Sequence, residues 1–528
     1  MYRHVSVLIV ICVPCVSQTS AQEMDLSSLQ TRAELSDFAE TTRYEEVMSF
    51  LDAVALASEL IHFTTFGYTT EGRELPLLVF GDVWDGSPEE VGRSGKTRVF
   101  IQANIHAGEV CGKEALLMLA RDLADGEHTG WADSLVVLIA PVYNADGNER
   151  ISLYNRGRQH GPAAGMGQRP NAQGYDLNRD HMKLDSPEAR SLVRMMRDYD
   201  PHVMVDLHTT NGTIHAYHLT YSPPLNPNTA APIVDYLRRN WLPSVTESVK
   251  NLYGWDYYYY GNLPFQSGSR ERGWYTFDHR PRFNNNYIGL RNRFAILSEA
   301  YSYATFEDRI LASLYFVEEI LDFAHDHAEE IRNIVDKADL TSVVGQQLAV
   351  RSEHTRSAEE VEILLGSTEE ERNPYTGRVM LRRTEERKPE RMFEFGRFNA
   401  TETVTAPATY FVPASLTDVI ERLEAHGVWF EPLTEARTMT LERFRIDSTT
   451  VAERPFQGHN ECTLYGAYET VSETLAAGTL VVPVDQSLGR LVFYLLEPRS
   501  DDGLVNWNIL GDTVKEAAYF PILREPAK

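Results

Sequence analysis

The sequence predicts an α/β fold, a mixed and largely parallel central sheet flanked by helices, followed by a smaller β-rich domain. Short continuous apolar runs at 99–101 and 135–139 are typical of strands buried on both faces. Between them, residues 113–123 carry apolar side chains at helical spacing. Strand, helix and strand in alternation favour parallel pairing, because two parallel strands need a crossover connection.

The remaining elements follow the same pattern. Residues 44–60 have helical spacing, two short β runs flank the turn at 71–73, and residues 203–205 and 294–297 are further apolar strands. A long helix at 306–334 closes the first domain. Beyond about residue 340 the runs are of β type, at 409–412, 479–482 and 490–494, with one helix at 416–426 that Gly427 ends. We therefore expect a loose polar leader at 22–42, a first domain at 43–337 and a second at 340–528.

Residues 1–21 have the composition of a secretory signal peptide. A positively charged start precedes the apolar run 5–13, and Ala21 ends a small-residue cleavage site. The run is too short to cross a bilayer, which takes about 20 residues. Cys15 offers the weaker alternative of a lipid anchor, because Pro14 stands where a small residue is expected. We expect a secreted or periplasmic protein cleaved near Ala21.

Charge and cysteine content narrow the classes of partner. The chain has 50 basic and 76 acidic residues, a formal charge of −26, which argues against binding to nucleic acid or anionic membranes. Of four cysteines, only Cys111 and Cys462 lie outside the predicted signal peptide. Two distant cysteines do not make a disulfide framework.

Two histidines and two glutamates stand at the ends of predicted strands. His106 and Glu109 follow the strand that begins at residue 99, with Gly108 between them as a turn residue. His208 ends the strand that begins at 203, and Glu299 ends the strand that begins at 294. In open α/β sheets such positions share one crevice. His-x-x-Glu alone is common in solvated loops, but imidazole and carboxylate are the ligands that zinc prefers. The set predicts one Zn²⁺ ion on His106, Glu109 and His208, with Glu299 as the base for its bound water.

An ordered series of motifs extends this set. Residues 43–325, approximately, resemble the zinc metallocarboxypeptidase family of the carboxypeptidase A type. The series is Glu71-Gly72-Arg73, His106-x-x-Glu109, Asn144-Ala145-Asp146-Gly147 (similar to the family's Asn-Pro-Asp-Gly), Asp176-Leu177-Asn178-Arg179, His208 and Glu299. The resemblance covers roughly half of the chain and implies the family's fold and its zinc chemistry.

The resemblance also implies individual roles. His106, Glu109 and His208 would bind zinc, and Glu299 would be general base and acid. Asp176 would accept a hydrogen bond from a zinc-bound imidazole, most directly that of His106, as carboxylates behind metal ligands do.

Substrate binding is implied for the arginine-containing motif. Asn178 and Arg179 would bind the terminal carboxylate of the substrate, which suits a guanidinium fork. One further arginine should polarise the scissile carbonyl. Arg169 fits best by its position, and Arg156 and Arg158 are alternatives.

The chain departs from the family pattern in several places. Ala145 replaces a proline, and Asp180 follows Arg179 where asparagine is common. The family's mobile active-site tyrosine has no clear counterpart, although Tyr275 and Tyr287 lie in the right stretch. Specificity in this family is set by the segment before the catalytic glutamate, and this segment is rich in arginine. These arginines are either surface or ion-paired groups or the lining of a pocket for an acidic residue; they are Arg280, Arg282, Arg291 and Arg293.

Three functional hypotheses follow. The first is a secreted zinc metallocarboxypeptidase that acts on peptides and removes C-terminal residues. The second is a zinc amidohydrolase for N-acyl amino acids or for γ-linked or D-amino-acid bonds of cell-wall peptides. The third is an inactive scaffold whose acidic C-terminal domain binds a partner, which the complete donor set disfavours.

Overall fold

The computed structural model describes residues 26–210, 212–264, 268 and 270–528. The predicted signal peptide at 1–21 lies outside these residues. Within this part of the chain, eight strands form one central sheet in the order β1-β2-β4-β3-β5-β9-β6-β7. The strands of the first domain are β1 Ile61–Tyr68, β2 Glu74–Phe80, β3 Thr97–Ala103, β4 Leu135–Ala140, β5 Val203–Thr210, β6 Leu219–Ser222, β7 Tyr257–Tyr259, β8 Gly273–Tyr275 and β9 Phe294–Tyr301.

The centre of the sheet is parallel. β4, β3, β5 and β9 run in one direction, whereas β1 and β2 are antiparallel at one edge and β6 is antiparallel to β9. The parallel strands therefore deliver their carboxyl ends to the same side. The mixed, largely parallel sheet predicted from the sequence is confirmed.

Helices cover both faces of the sheet. They are α1 Arg32–Leu35, α2 Tyr44–Ala57, α3 Pro88–Arg93, α4 Cys111–Ala124, α5 Ala145–Glu149, α6 Pro187–Asp198, α7 Ala231–Tyr236, α8 Leu242–Tyr253, α9 Asn284–Leu290, α10 Phe306–Asp326 and α11 Ala328–Asp339. Alternate side chains of each strand point to opposite faces. Val99 and Ile101 of β3 accordingly pack in the core formed with α2, α4, α8 and α10, while Phe100 packs in the core on the other face.

The C-terminal region is rich in strands and includes a six-stranded sheet, in the order β17-β20-β16-β21-β18-β19. Its elements are β10 Gln347–Thr355, β11 Glu360–Leu365, β12 Thr368–Arg372, β13 Val379–Arg383, β14 Lys388–Phe395, β15 Arg397–Thr405, β16 Thr409–Val412, α12 Thr417–His426, β17 Glu431–Pro432, β18 Arg437–Val451, β19 Cys462–Leu475, β20 Leu480–Pro483, α13 Gly489–Leu496, α14 Asp512–Lys515 and β21 Leu523–Glu525. Tyr410 and Phe493 of this region share one apolar core with Phe100 of the central sheet. The C-terminal region therefore covers one face of the first domain.

Three local expectations were wrong. Residues 490–494 lie in helix α13 and are buried on every side, so the run has no periodicity that distinguishes helix from strand. The long helix expected at 306–334 is interrupted at His327, whose φ of −118° and ψ of 20° leave the helical region. The leader is not loose from residue 26 onward. Thr41 and Thr42 donate from their hydroxyl groups to the buried carboxylate of Glu114, at 2.7 and 2.6 Å.

In the part of the chain that the structure describes, no helix is both long and apolar enough to cross a membrane.

A buried ion pair joins the first domain to the C-terminal region. Arg282 donates from Nε to Asp502 at 2.7 Å and from Nη2 to Glu461 at 2.8 Å. Burial raises the pKa of Asp502 to about 6, against the lowering effect of Arg282. An unpaired charge in such a place is costly.

We expect Arg282→Met to lower the free energy of unfolding by about 3–5 kcal/mol, because it leaves the carboxylate of Asp502 buried without its partner. The measurement is urea unfolding followed by circular dichroism. Arg445→Met is the control, since it removes an ion pair with Asp447 that lies in solvent. Equal midpoints for the two variants would contradict the expectation.

Candidate metal centre

The parallel register of the sheet brings the four predicted residues together. His208 of β5 lies directly opposite Glu299 of β9. β3 is the other neighbour of β5, and the chain that leaves it reaches His106 and Glu109 before helix α4 begins. Glu109 is held in this turn by its N–H, which donates to the carbonyl of His106 at 2.8 Å.

The donor atoms of three of these residues converge. His106, Glu109 and His208 are all buried, and each offers a ligand atom within 4.8 Å of the others. Nδ1 of His106 lies 3.1 Å from Oε1 of Glu109, and Nδ1 of His208 lies 3.0 Å from Oε2 of the same carboxylate. The two imidazole rings therefore approach Glu109 through the same kind of nitrogen.

A second carboxylate stands behind each imidazole. Nε2 of His106 lies 3.0 Å from Oδ1 of Asp176, and Nε2 of His208 lies 2.9 Å from Oδ2 of Asp206. A ring that donates from Nε2 has the lone pair of Nδ1 available for a metal ion, so the carboxylate behind each ring fixes its tautomer. Sequence reasoning missed Asp206, although two residues of separation from His208 on a strand place both side chains on one face.

Three carboxylates surround the two imidazoles, and this negative charge favours a positive charge between them. Asp206 and Glu109 outweigh burial and raise the pKa of His208 well above its ordinary value. Two imidazole nitrogens and one carboxylate are one of the donor sets of three-ligand zinc sites. The buried donors, the backing carboxylates and the need for a cation all fit Zn²⁺ on His106, Glu109 and His208.

Gly108 has a packing role here. A Cβ atom at this position would lie 2.8 Å from Cδ of Arg156 and 2.9 Å from the carbonyl oxygen of Gly167. Its φ angle does not lie in the left-handed region. Glycine is therefore required at this position because Arg156 and the carbonyl of Gly167 lie close to the backbone, and not because the turn needs a left-handed conformation.

Glu299 faces the same cavity as the donor set. The cavity has a volume of about 210 Å³. Burial, together with the neighbouring carboxylate of Glu109, raises the pKa of Glu299 to about 8, against the lowering effect of His208. Oε2 of Glu299 has no hydrogen-bond partner among the described residues. A bound cation would lower this pKa and favour the carboxylate.

Two of the three candidate arginines line the cavity. Arg156 donates to Oε1 of Glu109 at 2.8 Å, to the carbonyl of Thr209 at 2.7 Å and to Gln159 at 2.7 Å. Arg169 is paired through Nε and Nη2 with Asp176, at 3.0 and 2.8 Å. Its Nη1 lies 3.7 Å from Glu109 without a hydrogen bond among the described residues. Arg158 is exposed and does not line the cavity.

Asn178 and Arg179 also line the cavity. Oδ1 of Asn178 accepts from the N–H of Asn284 at 2.8 Å, which leaves the amide NH₂ group of Asn178 for a ligand. Arg179 stacks on the ring of Phe283 at 3.8 Å from its centroid. Within the described chain, no carboxylate lies within 4.0 Å of its guanidinium group.

The aromatic lining differs from the expectation. Tyr287 is buried and bonds His426, and Tyr275 stacks on Phe395, so neither lines this cavity. Tyr260, Phe277 and Phe283 line it instead. Nothing in the sequence distinguishes Tyr260 from its neighbours, because it ends a run of four tyrosines of which the first three form strand β7.

The arginines of the segment before Glu299 are held by protein groups. Arg280 pairs with Asp278, Arg282 with Asp502, and Arg293 with Asp200 and Asp339. Arg291 donates to the carbonyl of His426. None of the four lines the cavity at Glu299, so the structure favours the first alternative, that of ion-paired and hydrogen-bonded groups.

Comparison with known proteins gives the same family from several directions. Residues 47–279 match the zinc carboxypeptidase family model, a span that includes the three donor residues and ends before Glu299. The chain is 24% identical over 509 residues to carboxypeptidase 2 of Trichophyton rubrum, which covers 92% of this chain and 86% of the relative. It is 28% identical over 141 residues to human carboxypeptidase D, which covers 25% of this chain and 10% of the relative.

Solved structures are similar at a lower level. A metallo-carboxypeptidase of Burkholderia cenocepacia is 17% identical with a TM-score of 0.39, covering 54% of this chain and 69% of its own. Carboxypeptidase A of Helicoverpa armigera is 16% identical with a TM-score of 0.39, covering 55% and 75%. The family match and the long alignment with the fungal relative both show similarity to zinc carboxypeptidases, and they support the family that the motifs of the sequence indicate.

Proposed function

We propose that this protein is a secreted zinc carboxypeptidase that hydrolyses the C-terminal peptide bond of peptides. The observation that carries the proposal is Arg179, a guanidinium group without a carboxylate partner among the described residues, on the wall of the cavity that holds the donor set. Nη1 of Arg179 donates to the carbonyl of Asn178 at 2.6 Å. An arginine without a carboxylate partner in a partly desolvated cavity is suited to an anion, and a guanidinium fork matches a carboxylate.

Zinc on His106, Glu109 and His208 would supply a Lewis acid and lower the pKa of water in the site. The other steps belong to side chains of this chain. Glu299, as carboxylate, takes a proton from the attacking water and passes it to the leaving amine. Its free Oε2 is consistent with that task. Asp176 and Asp206 hold the two imidazoles in the tautomer that leaves Nδ1 available.

The substrate is oriented from its end. The NH₂ group of Asn178 and the guanidinium of Arg179 bind the terminal carboxylate, which places the last peptide bond next to Glu299. Nη1 of Arg169 makes no hydrogen bond among the described residues, which supports a role in polarising the scissile carbonyl, while Arg156 holds Glu109 in place. Secretion is supported by the composition of residues 1–21 and is tested by the N-terminus of the exported protein, expected after Ala21.

Glu299→Gln separates the base from the metal ligands. We expect it to keep one equivalent of zinc and to lower kcat by at least about 100-fold, since a general base contributes about 10²–10⁴-fold. His208→Ala should lose the metal as well. The measurements are elemental analysis and release of terminal amino acids from a defined peptide library. Full turnover by Glu299→Gln, or a wild-type protein that takes up no zinc, would refute the mechanism.

Arg179→Met tests recognition of the terminal carboxylate. We expect KM to rise about 10–100-fold, because a hydrogen bond to a charged group is worth about 1.5–3 kcal/mol. Wild type should leave the same peptide uncut when its C-terminus is an amide. Arg190→Met, which removes an exposed pair with Glu421, is the matched control. Equal hydrolysis of the free and amidated peptides would point to an endopeptidase or amidohydrolase instead.

Arg169→Met and Arg156→Met distinguish the two arginines of the cavity. We expect Arg169→Met to lower kcat by about 10²-fold with little change in zinc affinity, as for the loss of one oxyanion donor. Arg156→Met should weaken zinc binding, because the carboxylate of Glu109 is then no longer held in its position by the hydrogen bond from Arg156. Steady-state kinetics and competition with a chelator give the two readings. A larger loss of kcat in Arg156→Met at saturating zinc would reassign the role.

A further inference from the structure

Three of the loops that line the cavity contact residues beyond 340. The first loop carries Arg156, the second carries Asn178 and Arg179, and the third carries Phe277 and Phe283. Loops normally lie at the surface and are held less firmly than strands. In this chain all three loops also contact the C-terminal region.

The first loop is held by the hairpin β12–β13. The N–H of Leu381 donates to the carbonyl of Arg158 at 3.1 Å. Nε2 of His160 lies 2.8 Å from Oε2 of Glu371. The amide of Asn373 donates to the carbonyl of Ala163 at 2.9 Å. The loop that follows Arg156 is therefore fixed by backbone and side-chain contacts to one hairpin.

The third loop is held by strand pairing and by the buried ion pair. β8 pairs in parallel with β14, and the N–H of Thr276 donates to the carbonyl of Phe395 at 3.1 Å. Arg282, next to Phe283, is the residue that pairs with Asp502. The aromatic wall of the cavity thus stands between two attachments to the C-terminal region.

The second loop is held at the residue that lies behind the metal centre. Oε1 of Gln457 accepts from the N–H of Asp176 at 2.8 Å. Asp176 is the residue whose carboxylate lies 3.0 Å from His106, and it stands two positions before Asn178. Two residues after Gln457, Nε2 of His459 lies 2.6 Å from Oδ2 of Asp185. The contact between this part of the C-terminal region and the second loop therefore involves more than one side chain.

Gln457 is held in an uncommon conformation for this contact. Its φ of 50° lies in the left-handed region, which costs a residue other than glycine free energy. Asp176 is buried, and a buried N–H requires an acceptor. The acceptor comes from a residue 281 positions away in the sequence, so it is present only when the C-terminal region is docked.

We propose that residues 340–528 complete the active site by positioning its loops, with Gln457 as the positioning residue that acts on Asp176. Through Asp176 it orients the imidazole of His106, and through the same backbone it sets Asn178 and Arg179 relative to the metal centre. The kinetic part of this inference rests on the proposed peptidase function, whereas the metal-binding part does not.

The test uses the full chain and four variants. Gln457→Met keeps the length of the side chain and removes the acceptor, and Gln457→Asn withdraws the acceptor by one methylene in a residue that tolerates positive φ. Gln457→Glu keeps an acceptor. Gln486→Met is the control, since Gln486 is another half-buried glutamine of the C-terminal region that bonds Trp429 and Pro483, away from the cavity. Zinc affinity is measured by competition with a chelator. KM and kcat are measured on a peptide with a free C-terminus, and the thermal midpoint of unfolding reports on folding.

We expect Gln457→Met and Gln457→Asn to weaken zinc binding by about 10-fold, the lower end for groups behind metal ligands, and to raise KM more than they lower kcat. Gln457→Glu should recover most of both, and Gln486→Met should match wild type. The inference is overturned if Gln457→Met equals Gln486→Met in zinc affinity, or if Gln457→Glu falls as far as Gln457→Met. A wild type that binds zinc without releasing terminal residues refutes the proposed function alone, and the zinc affinities still decide the inference.

Discussion

The carboxylate of Glu109 between two imidazoles is the arrangement on which the site depends. Its two oxygens lie 3.1 and 3.0 Å from Nδ1 of His106 and of His208, in a buried environment. Burial disfavours the charged form of this carboxylate, so its charge needs positive neighbours, and His106 and Arg156 hold the pKa of Glu109 well below its ordinary value. Asp176 and Asp206 add to this demand while they fix the two rings. The protein has therefore folded around a position that a divalent metal ion satisfies best.

The sheet explains why these groups can be held so closely. The direct pairing of His208 with Glu299 is a consequence of parallel register between β5 and β9, and a slip of either strand by one residue would turn its side chain to the other face. Register is in turn secured by cores on both faces, where Ile101 and Phe100 of one strand pack in opposite directions. The packing that stabilises the sheet therefore also sets the geometry of the site.

The C-terminal region is part of the same structure. It covers one face of the sheet, shares its apolar core and pairs with β8 of the first domain. The alignment with the fungal relative covers 92% of this chain, so the similarity extends well beyond the residues that match the family model. A region of this kind can influence the site through the loops that it contacts, without contributing a side chain to the cavity.

The sequence by itself determined the fold class and the candidate chemical groups. Alternating apolar strands and amphipathic helices predicted the parallel sheet, and His106, Glu109, His208 and Glu299 were found because ligands collect at strand ends. Only the tertiary structure decided which groups surround them. Asp206, Tyr260 and Gln457 carry no motif, and their proximity follows from strand register and from the docking of distant chain segments. Helix α13 was missed for a related reason, since a run buried on all sides has lost the periodicity that reveals its conformation. Local patterns record which face of an element is buried, whereas contacts between distant segments depend on how the whole chain packs.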